Sequence, residues 1–253
     1  MADPTYEALL PAPFDLDPDP EITLPLDWRW NNFSPLGTPI TLSFGFMTVA
    51  PSHASPAEPP DGPNHGDGDA FGFKVFSGTQ ENAARAVLAL YAETCNLTFE
   101  EDLDTPDSAQ LLFGQNKQVG STGYAYLPDL LMLPGGNLGG DVYIAKKVAS
   151  NSRLDPGESG FATLLHEVGH ALGLKHPFDD EEGASPTLPV STDSRHYTVM
   201  SYTETDRPFF RTVTRTATKY VFSYDHVAPS TPMLYDIAAI QHLYGANMTT
   251  RAD

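Results

Sequence analysis

The stretch from His166 to His176, HEVGHALGLKH, constrains this chain more than any other. Three of the eight histidines fall there, beside one glutamate. On an α-helix, residues four apart lie one turn apart on the same face. His166 and His170 therefore point the same way and can grip one metal ion. Glu167, next to His166, can reach a water on that ion without being a ligand. Gly173 ends the helix, because glycine accepts the left-handed conformation that reverses the chain. The reversal can carry His176 back to the same ion. Three imidazoles and one open position is how a catalytic zinc is held. His-Glu-x-x-His alone is a weak signal, ordinarily explained by a histidine-rich surface helix. The longer pattern fixes five residues, and average usage would produce it on the order of once in 10^5 chains of this length.

The rest of the chain is consistent with one globular enzyme domain. Its 253 residues can bury a sizeable core, and 40% of them are hydrophobic. The net charge of -19 argues against nucleic acid and anionic membranes as partners, since both call for clustered Lys and Arg. No apolar run reaches the roughly 18 residues of a membrane span. The single cysteine, Cys95, allows no internal disulfide and reads as a small core hydrophobe.

Residues 1–24, acidic and proline-rich, read as a loose leader that buries little and lacks the basic and apolar parts of a secretory signal peptide. Strands are expected within 38–49, 109–114, 122–128 and 139–145. A helix should follow Ser77 or Thr79, with Ala83, Val87, Leu90 and Thr94 on one face. A second helix carries the histidines. A third should start with Thr231 as cap and Pro232 at its first position. Strands first and helices late give an α+β domain over 25–253. The loop at 51–70 holds Asp61, Asp67 and Asp69, whose oxygens could hold calcium, but their spacing is not that of an EF-hand and a solvated surface loop is the better reading. His53, His65, His196, His226 and His242 read as ordinary loop or helix residues.

Downstream of the zinc pattern, RHYTVMSYTE supplies Met200, with Tyr202 two residues on. The histidine pattern followed by such a Met-turn is the metzincin metalloprotease signature. Within that clan the chain resembles the serralysins over roughly residues 28–250. HEVGHALGLKHP, DSRHYTVMSYTE, TGYAYLP with GGDVYI, and DIAAIQHLYGANMTTR carry the resemblance, and Pro177 after the third histidine favours this family over astacins and adamalysins.

The resemblance implies a zincin fold with a twisted five-stranded mixed sheet, three main helices and a two-lobed cleft. It implies zinc on His166, His170 and His176, with Tyr202 as a ligand that swings to the transition state, and Met200 as a floor beneath the metal. Glu167 would be the general base, and GYAYLP an edge strand that binds protein or peptide substrates in extended form. It further implies a secreted, extracellular, monomeric enzyme. The nonapeptide calcium repeats that follow this domain in the family are not found in the chain. Two other readings are a protease that processes only its own precursor and a non-catalytic zinc-bearing interaction module. After the Met-turn, Arg207, Arg211, Arg215 and Lys219 form a basic segment of extended structure that would wall the substrate pocket, unless surface carboxylates pair with it.

Overall fold

The computed structural model describes residues 5–15, 25–52, 54, 70–128, 138–180 and 185–250. Asp61, Asp67 and Asp69 lie outside them. Two short strands, β1 (Phe14–Asp15) and β2 (Pro25–Leu26), pair antiparallel near the N-terminus. The main sheet holds β3 (Ile40–Phe46), β4 (Leu97–Glu101), β5 (Leu111–Asn116), β6 (Gly123–Ala125) and β7 (Asp141–Ala145). Its order is β4-β3-β5-β7-β6, parallel except for β6, which runs antiparallel to β7 at one edge. Helices α1 (Gly78–Thr94), α2 (Ser159–Ala171) and α3 (Leu234–Tyr244) complete an α+β fold. A hairpin of β8 (Phe209–Arg215) and β9 (Tyr220–His226) stands apart from the sheet. Among the described residues no helix is long and apolar enough to cross a membrane.

Four strands of the sheet fall where alternation and β-branched content place them. β4 is the one missed. Its sequence ends in Glu100 and Glu101, which suit an outer strand with one solvated face but weaken its strand signature.

Helix α1 starts at a reciprocal cap: Gln80 N donates to Ser77 Oγ, and Ser77 N to Gln80 Oε1. Its buried face is Ala83, Ala84, Val87, Leu88 and Tyr91; Leu90 and Thr94 are only half-buried. The face is rotated from the expected one because Tyr91 passes beneath α2 and donates its phenol to Leu165 O at 2.9 Å.

Helix α3 starts at Leu234, later than Thr231 and Pro232 suggest. The physical reason is Asp236. Its fully buried carboxyl accepts from Met233 N (2.7 Å), Val199 N (2.9 Å) and Thr198 Oγ1 (2.5 Å). Burial lifts this group to about 6 against the opposite pull of those hydrogen bonds. One side chain thus caps α3 and ties it to the Met-turn.

The leader buries more than expected. A 3-10 turn over Tyr6–Leu9 places Ala8 and Leu9 at 0% exposure, and Leu9 joins the main core. Leu9 O accepts from Lys175 N at 2.8 Å, Ala12 O from Trp28 Nε1 at 3.0 Å, and Tyr6 packs on His242. Four residues of YEALL suffice because the core supplies the apolar surface that the leader lacks. Leu9→Ala should therefore destabilise the fold by about 2–5 kcal/mol, as other core leucine truncations do. Urea denaturation checks this; a loss within about 0.5 kcal/mol, typical of a surface change, would return the leader to the unpacked reading.

Candidate metal centre and active site

Helix α2 sets His166 and His170 one turn apart, and the chain leaves it at Gly173, whose φ is 106°. That glycine is required twice over. Its φ suits residues without a Cβ, and a Cβ there would lie 2.0 Å from Trp28 O. The last carbonyls of the helix are capped from elsewhere: Trp30 Nε1 donates to Ala171 O (2.9 Å), and Tyr244 Oη to Leu172 O (3.0 Å).

The reversal brings His176 back. The three Nε2 atoms lie 3.1–3.2 Å from one another. Each Nδ1 is committed to an oxygen: His166 to Val199 O (2.8 Å), His170 to Leu174 O (2.7 Å) and His176 to Asp179 Oδ2 (2.8 Å). Those acceptors hold the proton on Nδ1, so all three Nε2 lone pairs face one point. Burial, and after it the nearby His176, pushes the His166 ring down to about 3, which keeps it neutral. Three neutral imidazole lone pairs at one point repel one another and fit a cation with a preference for nitrogen, zinc foremost.

Glu167 is 4% exposed, and burial alone raises its carboxyl to about 8. A divalent cation beside it would oppose that shift. Glu167 faces β6: a Cβ on Gly123 would meet its Oε1 at 2.9 Å, so only glycine allows this approach. Thr122 O accepts from Ala145 N, and Tyr126 N donates to Asp141 O, so residues 122 and 126 bond inward to β7. By strand alternation the backbone groups of Gly123 and Ala125 face the open edge.

Tyr202, 60% exposed, places its hydroxyl 2.8 Å from His176 Nε2 and stacks on His166. Met200 is fully buried below α2, where it fills the space left by Gly169: a Cβ there would meet Met200 Sδ at 2.6 Å. Of the six residues expected at the site, His166, Glu167, His170, His176 and Tyr202 line one cleft of about 710 Å³, and Met200 lies buried against Gly169 of α2.

Five contributors were not legible beforehand. Asp179 orients His176, and Gly123 admits Glu167. Phe178 stacks on the His176 ring at 5.0 Å. Buried Lys175 donates from Nζ to His176 O, Asp179 O and Pro186 O, shaping the loop that carries the third histidine. Arg195 brackets Tyr202: its N donates to Thr203 O and its Nε to Ser201 O. Only Asp179 had a sequence signal, an acid three residues past the third histidine. Cys95 is buried, with its thiol pushed up to about 12 by burial, and takes no part. His196 and His242 stay outside the site, and His53 and His65 lie outside the described residues. The basic segment does not wall the cleft; Glu204, His226 and Pro229 do.

No family model matches the chain. Curated relatives do. A serralysin of Photorhabdus sp. (strain Az29) is 38% identical over 192 residues, which is 72% of this chain and 36% of that protein. The metalloprotease AprA of Pseudomonas entomophila (strain L48) is 34% identical over 228 residues, 88% of this chain and 42% of that one. Serralysin C of Dickeya chrysanthemi is 34% identical over 232 residues, with the same coverages of 88% and 42%. Over most of its own length the chain is similar to serralysin-type metalloproteases. It spans about two fifths of the length of these relatives, 36–42%. The third histidine is kept in place by the half-buried Asp179, so Asp179→Ala should weaken zinc binding about 10–100-fold. Competition against a chromophoric chelator measures this; unchanged affinity would mean the Asp179 contact orients nothing.

Proposed function

We propose that the chain is the catalytic domain of a secreted, monomeric zinc endopeptidase that binds polypeptide in extended form along β6. The observation that carries this reading is the convergence of three Nε2 lone pairs with Glu167 beside them and an open strand edge alongside. His166, His170 and His176 would hold the zinc. When bound, zinc acidifies water and polarises the peptide carbonyl.

The chain's own groups supply the rest. Gly123 and Ala125 hydrogen-bond the substrate backbone and fix its register beside Glu167. Glu167 takes the proton of the attacking water and delivers it to the leaving amine. Tyr202 donates its phenol to the oxyanion that develops on the carbonyl, from a backbone that Arg195 holds at Ser201 O and Thr203 O. The presence of Glu167 on the cleft wall disfavours the non-catalytic module, which would need no base.

Glu167→Ala should retain one zinc per chain and the native melting temperature while losing at least 10²–10⁴-fold in casein hydrolysis, roughly what a general base contributes. Elemental analysis and a digestion assay read the two halves, and calcium can be measured in the same sample. Casein left intact by the wild-type chain, with its own N-terminal segment cut, would favour the self-processing reading. Near-wild-type turnover by the variant would remove Glu167 from the mechanism.

Gly123→Ala should lower kcat with zinc content unchanged, because the new Cβ must displace Oε1 from its 2.9 Å approach. A variant with wild-type kcat would show that the carboxylate has room to spare.

A further inference from the structure

Among the described residues nothing covers the hairpin of β8 and β9. Every residue of both strands is exposed except His226, which is intermediate. A two-stranded ribbon is marginal in water by itself, so exposed aromatic rings on it call for an explanation. The register divides it into two faces. Phe209, Arg211, Val213 and Arg215 pair with His226, Tyr224, Phe222 and Tyr220 and share one face. The other holds Phe210 and Val221 among Thr212, Thr214, Ser223 and Asp225. On the first face Phe209, Val213, Tyr220, Phe222 and Tyr224 are 47–64% exposed, and no acid interrupts them.

The charges on this hairpin are unspent. The chain carries 33 acidic against 14 basic residues. Yet among the described residues none of Arg207, Arg211, Arg215 and Lys219 forms an ion pair. Arg211 instead lies over the Phe222 ring at 5.7 Å. The expectation that surface carboxylates neutralise the segment is therefore not met.

The same face is continuous with the cleft. Its last ring, His226, lines the cleft and contacts Glu204, which is paired with Arg195 beside Tyr202. Phe209 packs edge-on against His226. From His226 the face runs for six residues to Tyr220, about 20 Å of strand.

We propose that this aromatic and arginine face is an exosite for the substrate polypeptide, and that it takes an acidic, apolar-containing segment of about six residues lying beyond the cleft. This rests on the reading of the cleft as a protease site. The rings supply sequence-tolerant apolar contact, and Arg211 and Arg215 supply the charge selection. The rest of the chain, acidic overall, repels such a segment everywhere else, so the hairpin also sets its direction. The face selects among substrates and takes no part in bond cleavage.

The test uses one cleavable core peptide bearing a six-residue tail at its N-terminal or its C-terminal end, the tail being either Glu/Leu-rich or Gln/Leu-rich. At low salt the acidic tail at one end should raise kcat/KM about tenfold over its neutral counterpart, through KM, and the gain should fade with added salt. Arg211→Gln with Arg215→Gln should abolish the gain and leave the bare core peptide cleaved at the wild-type rate. Phe222→Ser with Tyr224→Ser should raise KM for both tailed peptides alike. Equal cleavage of acidic and neutral tails, or equal gains at both ends, would overturn the exosite. So would variants that instead change the oligomeric state in sedimentation, or binding to vesicles of anionic phospholipid, with peptide preference intact. Cleavage of no peptide at all would refute the protease reading itself; anisotropy of labelled tails on the Glu167→Ala chain would then still report whether the face binds them, and no arginine-dependent binding would overturn the exosite as well.

Discussion

The end of α2 is the constraint on which the site depends. A metal held by His166 and His170 alone would sit on the side of a helix with half its shell in water. The third imidazole must arrive from outside the helix, and only five residues separate it from His170. That requires an immediate reversal, which Gly173 provides with a φ of 106° and with no side chain to strike Trp28 O. Three aromatic residues from distant parts of the chain then secure the reversal. Trp30 and Tyr244 cap the carbonyls that the reversal leaves orphaned, and Tyr91 fastens the helix nearly two turns earlier.

Around that turn, polar burial is resolved by pairing and not by avoidance. Lys175 is buried against three carbonyls, Asp236 against two amides and a hydroxyl, and the three imidazoles against three oxygens. Each satisfied group fixes a loop that has no regular secondary structure of its own. Asp236 carries the longest reach, since it joins the cap of α3 to Val199, whose carbonyl in turn holds His166. The Met-turn is therefore positioned from both sides, by α3 below and by Arg195 above.

Glu167 is the contrasting case. It is buried without a strong partner among the described residues, and burial drives its carboxyl upward. Such a group costs stability, because no hydrogen bond offsets its burial. Its approach to Gly123 brings the base next to the one open strand edge of the cleft, so that binding of an extended chain and proton transfer share one place.

What the sequence determined alone was local. The i, i+4 histidine pair, the glycine that ends α2, the Ser77 cap and the strand alternation all depend on neighbours within a few residues, where backbone geometry leaves few choices. The α+β class and the grouping of His166, Glu167, His170 and His176 followed from that, while Met200 and Tyr202 came from the family resemblance. Tertiary structure decided what depends on distant partners. The docking of Leu9, the rotation of α1 about Tyr91, the start of α3 at Asp236 and the closeness of Gly123 to Glu167 pair residues that are tens to well over a hundred positions apart. The basic segment shows the division most clearly. Its extended form was legible in its threonines and valines, but its faces were not. Only strand register sorts Arg211 and Arg215 with the rings and Asp225 with the opposite face, and only packing places His226 at the cleft and leaves the arginines outside it.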